Sequence, residues 1–214
     1  MCALDNSSPT LPVFGIDRHR LATDGAGVTT LVGAYGCPLQ CRYCLNPHAW
    51  NPETLKKCTF MTPEMLYEQV KIDALYFLAT RGGITFGGGE SLLHADFIRA
   101  FRQVCGPDWT LTAETSLNVP QSSLQKVLDV LDAFIVDIKD LNPSIYKAYT
   151  GKTVDTVVEN LRLLAESFPP ERVIVRVPSI PGHNTEEDIS SSVTILKDMG
   201  FTQIDTFPYI VRKR

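Results

Sequence analysis

Three cysteines lie close together in the segment GCPLQCRYCLN, residues 36 to 46, at positions 37, 41 and 44. Cysteine thiolates are soft ligands that hold zinc or iron–sulfur clusters. One interpretation is a tetrahedral zinc site in which His48 joins the three cysteines. A second is a redox C-x-x-C pair of Cys41 and Cys44, which leaves Cys37 without a role. A third is a [4Fe-4S] cluster with three cysteine ligands, whose fourth iron stays open for a ligand that takes part in chemistry.

The composition is that of an ordinary globular protein. The chain has 214 residues, 44% of them hydrophobic and 21% charged, enough for one large domain or two small ones. The net charge of −4 and the lack of a basic run longer than the final RKR argue against a nucleic-acid partner. No run approaches about 18 apolar residues, so no membrane span is expected.

The first fifteen residues, MCALDNSSPTLPVFG, lack the basic and apolar regions of a signal peptide. We therefore expect a cytoplasmic protein, whose thiols stay reduced. Six cysteines in such a chain indicate metal binding or catalysis before disulfides.

Strand and helix patterns alternate along the chain from residue 28 onward. Residues 1–27, rich in Asp, Ser, Pro and Gly, are predicted to form an N-terminal extension or irregular cap, and residues 28–214 the core domain. Strands are predicted at 28–35, 83–86, 109–115, 133–139, 172–180 and 201–210. Helices are predicted at 62–80, 92–104, 120–131, 154–167 and 184–199, the last begun by a capping box of Asn184 and Glu187.

This alternation predicts an α/β fold with right-handed crossovers and a parallel sheet, either doubly wound or a barrel or partial barrel. In both cases the chemistry lies at the carboxyl ends of the strands. The cysteine loop follows the first strand and GGGE the second, while Glu114 ends the third. Asp137 and Lys139 end the fourth. We therefore expect these polar and thiol groups to converge.

The cysteine spacing C-x-x-x-C-x-x-C, with Tyr43 before the last cysteine, resembles the signature of the radical S-adenosylmethionine (SAM) superfamily. The segment TFGGGES (85–91) is similar to the Gly-Gly-Glu motif of that superfamily. The resemblance implies a radical SAM core, a partial (β/α)6 barrel, over residues 28–214.

Four further segments resemble the glycyl-radical-enzyme activating enzymes of the pyruvate formate-lyase activase type. They are DGAGVT (24–29), CRYCLNPHAW (41–50), DIK (137–139) and VRVPSIPG (175–182). DGAGVT lacks the Pro and Arg of the family motif. Ile210 stands after FPY, where the family often has a histidine that contacts SAM.

The resemblance implies one [4Fe-4S] cluster on Cys37, Cys41 and Cys44, with Cys2, Cys58 and Cys105 structural or incidental. It also implies SAM contacts from ten residues: Tyr43, Leu45, Gly88, Gly89, Glu90, Glu114, Asp137, Ile138, Lys139 and Arg176.

Several of these residues have an expected role. The backbone of Gly89 or the carboxylate of Glu90 would take the amino group of SAM, and Asp137 would accept from its ribose or amino group. Lys139 and Arg176 would bind the SAM carboxylate.

The implied reaction is reductive cleavage of SAM and hydrogen abstraction from a backbone glycine of a partner glycyl-radical enzyme. An electron donor such as flavodoxin or ferredoxin is implied as a second partner. Two alternatives remain: a radical SAM enzyme that modifies a peptide or small molecule, and a non-catalytic zinc- or cluster-binding module. Metal content and SAM cleavage distinguish the last from the others.

Overall fold

The computed structural model describes residues 8–21 and 23–211. The strands are β1 (Leu11–Leu21), β2 (Val28–Ala34), β3 (Thr59–Met61), β4 (Gly83–Gly88), β5 (Thr110–Thr115), β6 (Ala133–Asp137), β7 (Val173–Ser179) and β8 (Gln203–Pro208). The helices are α1 (Pro52–Leu55), α2 (Pro63–Val70), α3 (Ala74–Thr80), α4 (Ala95–Cys105), α5 (Gln121–Gln125), α6 (Pro143–Thr150), α7 (Asp155–Ser167) and α8 (Glu186–Asp198). None of the helices in these two ranges has the length and apolar character needed to cross a membrane.

All eight strands form one sheet in the order β3-β1-β2-β4-β5-β6-β7-β8. Six of these strands pair in parallel with their neighbours, and helices connect them: β2, β4, β5, β6, β7 and β8. The predicted α/β fold with six parallel strands, a partial barrel, is therefore confirmed. Within the described ranges, β3 and β8 are the two edges of the sheet, so the wall is not closed.

Side chains of the parallel strands alternate between an apolar layer and a polar one. Phe86 of β4 packs edge-on against Phe101 of α4, with ring centroids 5.6 Å apart, and α2, α3, α5, α7 and α8 contribute buried residues to the same core. The opposite face presents Glu114 of β5 and Arg176 of β7, and Asp137 of β6 pairs in register with Arg176. The sheet thus supports a hydrophobic core on one side and a polar interior on the other.

The segment predicted to be an N-terminal extension or irregular cap, residues 1–27, includes a strand. Leu11–Leu21 forms β1, which pairs antiparallel with both β2 and β3. The side chains of Leu11 and Val13 are buried in the main core. Residues 1–7 and 22 of that segment lie outside the described residues.

Several helix boundaries also differ from the predictions. The helix expected over 62–80 is interrupted by a 3-10 turn at Lys71–Asp73, and the one expected over 120–131 ends as α5 at Gln125. Helix α6 was not predicted. The capping box of α8 is formed by Thr185 and Asp188 instead of Asn184 and Glu187, so that prediction is wrong by one residue.

Candidate active site

A cavity of about 630 Å³ lies on the polar face of the sheet. The thiols of Cys37, Cys41 and Cys44 line it, together with the turn that follows β4. The carboxyl ends of the parallel strands supply the rest of its polar wall, including the predicted residues Glu114, Asp137, Lys139 and Arg176. The convergence expected from the parallel topology is therefore present.

The cysteine loop is tied to its surroundings by backbone hydrogen bonds. Gly89 N–H donates to Ala34 O at 3.0 Å and Glu90 N–H to Gly36 O at 2.7 Å, which joins the loop to the turn after β4. On its other side, the N–H groups of Gln40 and Arg42 donate to carbonyls at the C-terminus of α6. The loop that carries the thiols is thus fixed by the protein itself.

Gly88 and Gly89 are required by this packing. A Cβ on Gly89 would lie 2.3 Å from the carbonyl oxygen of Gly36, and one on Gly88 would lie 2.7 Å from the ring of Phe14. Gly88 also has a positive φ of 85°, which glycine adopts without strain. The motif therefore lets the cysteine loop and β1 approach β4 closely.

Glu90 is buried, and its carboxylate accepts four hydrogen bonds from the protein. The donors are Thr115 Oγ1 (2.6 Å), Ser116 N (2.8 Å), Ser116 Oγ (2.6 Å) and Leu92 N (3.2 Å). A carboxylate offers about four acceptor sites. Glu90 therefore connects the ends of β4 and β5, and of the two predicted partners for the SAM amino group only the backbone of Gly89 keeps spare capacity.

Arg176 lies among carboxylates inside the cavity. Its Nη1 is 3.1 Å from Glu114 Oε1 and 3.7 Å from Asp137 Oδ1, and its Nη2 donates to the carbonyl of Thr23. Lys139 Nζ is 4.0 Å from Asp137 Oδ2. Burial disfavours the charge on Lys139, but Asp137 and Cys41 outweigh that effect and raise its pKa. Lys139 thus keeps its charge in the cavity.

The three thiols fit a metal cluster by their chemistry. The pKa of Cys37 is raised to about 12: burial is the largest cause, the charges of Glu90, Cys41 and Cys44 also raise it, and a hydrogen bond from the backbone of Leu39 opposes them. Burial likewise raises the pKa of Cys41, although Lys139 opposes it. Thiolates gathered in such a place need a cation to compensate their charge, which iron ligation supplies.

The predicted zinc ligands are not brought together. His48 is exposed, in the 3-10 turn Pro47–Trp50, and does not line the cavity. In residues 8–21 and 23–211, no group of three or more His, Cys, Asp or Glu side chains is arranged to hold a single metal ion. Cys58 and Cys105 also lie away from the cavity, and Cys2 is outside the described residues.

Two predicted SAM contacts do not line the cavity with their side chains. Ile138 is buried in the hydrophobic core. Tyr43 packs edge-on against His183 and Tyr149, and its carbonyl accepts from Tyr209 Oη at 2.7 Å. Leu45 does line the cavity, whereas Ile210 is exposed to solvent.

Several residues of the cavity were not predicted from the sequence. They are Phe14, Asp17 and Arg20 of β1, Ser116 after β5, Tyr149 of α6, and Phe207 and Tyr209 from β8 and its end. Ser116 directly follows a predicted strand, and Tyr209 belongs to the FPY segment, so a signal existed for both. The sequence pattern predicts neither strand β1 nor helix α6, so it gives no indication that their residues reach the cavity.

Comparison with known proteins agrees with this architecture. The family model of the radical SAM superfamily matches residues 31–191. The pyruvate formate-lyase-activating enzyme of Clostridium pasteurianum is 34% identical, over 87% of this chain and 77% of that protein. The (2S)-3-sulfopropanediol dehydratase activating enzyme of Klebsiella oxytoca is 29% identical, over 91% of this chain and 80% of that protein.

Solved structures share the fold at low identity. SuiB of Streptococcus suis bound to its precursor peptide SuiA superimposes with a TM-score of 0.63 at 11% identity, over 84% of this chain. This chain spans only 40% of SuiB. TYW1 with a lysine-pyruvate adduct gives a TM-score of 0.59 at 15% identity. These likenesses concern the fold alone.

The matched family model, the three-thiol loop and the partial barrel define the class: this chain belongs to the radical SAM superfamily. Within that superfamily it is a member of the glycyl-radical-enzyme activating enzymes, as its relatives over most of its length are. The resemblance found in the sequence motifs is therefore confirmed.

Proposed function

We propose that this chain cleaves SAM reductively to methionine and a 5′-deoxyadenosyl radical, which abstracts hydrogen from a backbone glycine of a large partner enzyme. The observation that carries the proposal is the convergence of three thiols, a close-packed glycine turn and two cations on one cavity at the strand ends. When bound, one [4Fe-4S] cluster would supply the electron for this cleavage.

The residues of the chain would bind and orient these groups. Cys37, Cys41 and Cys44 would hold the cluster, and the anchored loop keeps them in place before it arrives. The backbone of Gly89 would take the amino group of SAM. Lys139 and Arg176 would bind its carboxylate, since buried cations favour a charged partner.

The remaining predicted contacts concern the nucleoside and the local charge. Leu45 would contact adenine from within the cavity, and Tyr43 would do so through its backbone. Asp137 would accept from the ribose, and Glu114 would hold Arg176 at 3.1 Å. Strands β1 and β8 also contribute residues to the lining of the cavity.

The partners follow from the same chemistry. The partner enzyme would present its glycine in a polypeptide segment that enters through the open side of the sheet. A flavodoxin or ferredoxin in the cytoplasm would reduce the cluster. The identity of the partner enzyme is a separate question, for which a glycyl-radical enzyme encoded beside this gene is the first candidate.

The test is spectroscopic. Reduced protein, SAM and the candidate partner are incubated anaerobically, and a glycyl-radical doublet is sought on the partner by electron paramagnetic resonance. We expect the doublet only when all three components are present. Turnover of a peptide or metabolite with no doublet on any glycyl-radical enzyme of the source genome would favour the small-molecule alternative. Failure to cleave SAM at all would favour a non-catalytic module.

A further inference from the structure

Strand β1 carries an extra residue opposite β2. Asp17 pairs with Leu31 and Arg20 pairs with Thr29, so Arg18 and His19 together face Thr30 alone. Two residues opposite one define a β-bulge. His19 has a φ of 57°, a conformation that residues other than glycine seldom adopt. Something in the surrounding structure must therefore hold this bulge.

The bulge decides which side chains of β1 reach the cavity. Side chains alternate along a regular strand, so two residues three positions apart lie on opposite faces. Asp17 and Arg20 are three positions apart, yet they pair with Leu31 and Thr29, which are two positions apart on β2 and so share a face, and Leu31 lines the cavity. The extra residue has moved Arg20 to the cavity face.

Asp73 holds the bulge from the opposite face. It is 0% exposed and accepts hydrogen bonds from all three residues at the bulge. The donors are Arg18, through Nε at 2.7 Å and through Nη2, Thr30 Oγ1 at 3.0 Å, and His19 Nε2 at 2.9 Å. Asp73 ends the 3-10 turn Lys71–Asp73 that separates α2 from α3, so this turn places the carboxylate under β1.

Arg20 connects the bulge to the residues that contact Arg176. Its Nε and Nη2 both bond the carboxylate of buried Asp24, and its Nη1 lies 2.8 Å from Asp17. The carbonyl of Thr23, one residue before Asp24, accepts from Arg176 Nη2. A continuous chain of contacts therefore connects Asp73, outside the cavity, with the guanidinium of Arg176 inside it.

We propose that Asp73 is a positioning residue for SAM binding. Asp73 holds the bulge, and the bulge places Arg20 against Asp24. The carbonyl of Thr23, beside Asp24, then orients Arg176. The inference rests on the proposed function, because Arg176 is there assigned to the SAM carboxylate. Asp73 touches neither the cavity nor the thiols, so it acts on SAM only through these residues.

The experiment measures SAM affinity by equilibrium dialysis of labelled SAM with cluster-reconstituted protein. Asp73→Asn keeps the shape of the side chain and removes its charge. We expect it to weaken SAM binding by about two- to thirtyfold, the range for residues that act on a site through others, while iron content per chain stays at the wild-type level. Arg20→Gln should weaken SAM binding to a similar extent.

Asp132→Asn is the matched control. Asp132 also pairs with an arginine, Arg102, and accepts from a backbone N–H, that of Leu111, but it lies away from the cavity. Its replacement should lower the melting temperature and leave SAM affinity unchanged. A purely structural role of Asp73 would give the same result as this control and would overturn the proposal.

The double variant Asp73→Asn/Arg20→Gln tests the path. Both residues act through the same chain of contacts, so their effects should not add. The double variant should bind SAM about as well as the single variant with the lower affinity. If the two fold-losses in SAM affinity multiply in full, the proposal is contradicted. If Asp73→Asn does not fold, Arg20→Gln carries the test, and unchanged affinity there refutes it. A wild-type protein that binds no SAM would instead refute the proposed function itself.

Discussion

Single residues of the cavity were predictable where a strand end places them. Cys37, Gly89 and Lys139 follow strands of a parallel sheet, whose carboxyl ends meet at one edge. The use made of Glu90 was not predictable, because it depends on hydroxyl groups of Thr115 and Ser116 that lie 25 and 26 positions away. Only the folded chain brings these donors to its carboxylate.

The cysteine ligands give the first prediction. Replacing Cys37, Cys41 or Cys44 by Ala should abolish bound iron or leave a labile cluster, because each thiol would hold one corner of a cluster with no spare ligand. Iron and sulfide per chain after anaerobic reconstitution are the measurement, with about four of each expected for the wild type. Cys58→Ala and Cys105→Ala are the controls and should keep full iron. A Cys58→Ala variant without iron would show that the ligand assignment is wrong.

Glu114 gives a prediction for pH. Its pKa is raised from 4.5 to about 7: burial is the largest cause, the Asp137 carboxylate also raises it, and Arg176 opposes both. Between these values the folded state holds a proton that the unfolded state has lost. The stabilisation is therefore complete below pH 4.5 and is lost as the pH rises through 7.

We compare the free energies of unfolding of the wild type and of Glu114→Gln, both in iron-free protein. The difference, wild type minus variant, should decrease as the pH rises from 4.5 to 7. The fall should be at most about 3 kcal/mol, since a tenfold change in proton affinity is worth about 1.4 kcal/mol. Urea unfolding at several pH values is the measurement. Glu159→Gln, at an exposed position of α7, should give a profile parallel to the wild type. A parallel profile for Glu114→Gln would show that the pKa of Glu114 is the same in the folded and unfolded protein.

At the scale of elements, the sequence predicts the parallel strands because their alternation with helices is regular. It misses β1 because the bulge at Arg18–His19 and the glycine at position 15 disturb the two-residue period by which strands are recognised. It also joins α2 and α3 into one helix, since the periodicity does not reveal that Asp73 turns inward to bind β1. Both errors have the same cause, a contact between distant segments.

The turn after β4 can be tested by adding a methyl group. Gly89→Ala places a Cβ 2.3 Å from Gly36 O and 2.7 Å from Ala34 O, both backbone atoms that cannot move without shifting the cysteine loop. We expect a loss of unfolding free energy of about 1–3 kcal/mol and reduced iron loading. Chemical denaturation and iron analysis are the measurements.

Gly15→Ala is the control for this substitution, because its Cβ would meet no atom within 4 Å. It should change the unfolding free energy by less than about 0.5 kcal/mol. Equal effects of the two substitutions would mean that the approach of the cysteine loop to β4 is not close enough to exclude a side chain.

At the scale of the whole molecule, the sheet is a wall with two unlike ends. The parallel strands form one end, and the antiparallel β1 and β3 form the other. Leu11 and Val13 of β1 lie in the same hydrophobic core as the parallel strands. Strand β1 is therefore an integral part of the folded domain. Composition alone suggested a cap because Asp, Ser, Pro and Gly are typical of irregular structure.

Removal of residues 1–21 should therefore abolish the cooperative thermal transition. Among its described residues, the truncated chain loses the buried side chains of Leu11, Pro12 and Val13. The Leu and Val side chains are each worth about 1.5–3 kcal/mol, and every strand contact of β1 with β2 and β3 is lost as well. Circular dichroism during heating is the measurement, with Leu21→Ala, at an exposed site of the same strand, as the control. A truncated chain that melts like the full one would support the domain boundary at residue 27.

The bulge in β1 has a consequence for how the gene can change. A codon exchanged at position 18 or 19 alters one contact, but a codon lost between Asp17 and Arg20 alters the phase of the strand. With β2 as the fixed partner, the shortened strand would turn either Arg20 or Asp17 away from the cavity. Substitutions and length changes at this point are thus different classes of mutation, and a deletion of three nucleotides here would reverse the inside and outside of half a strand.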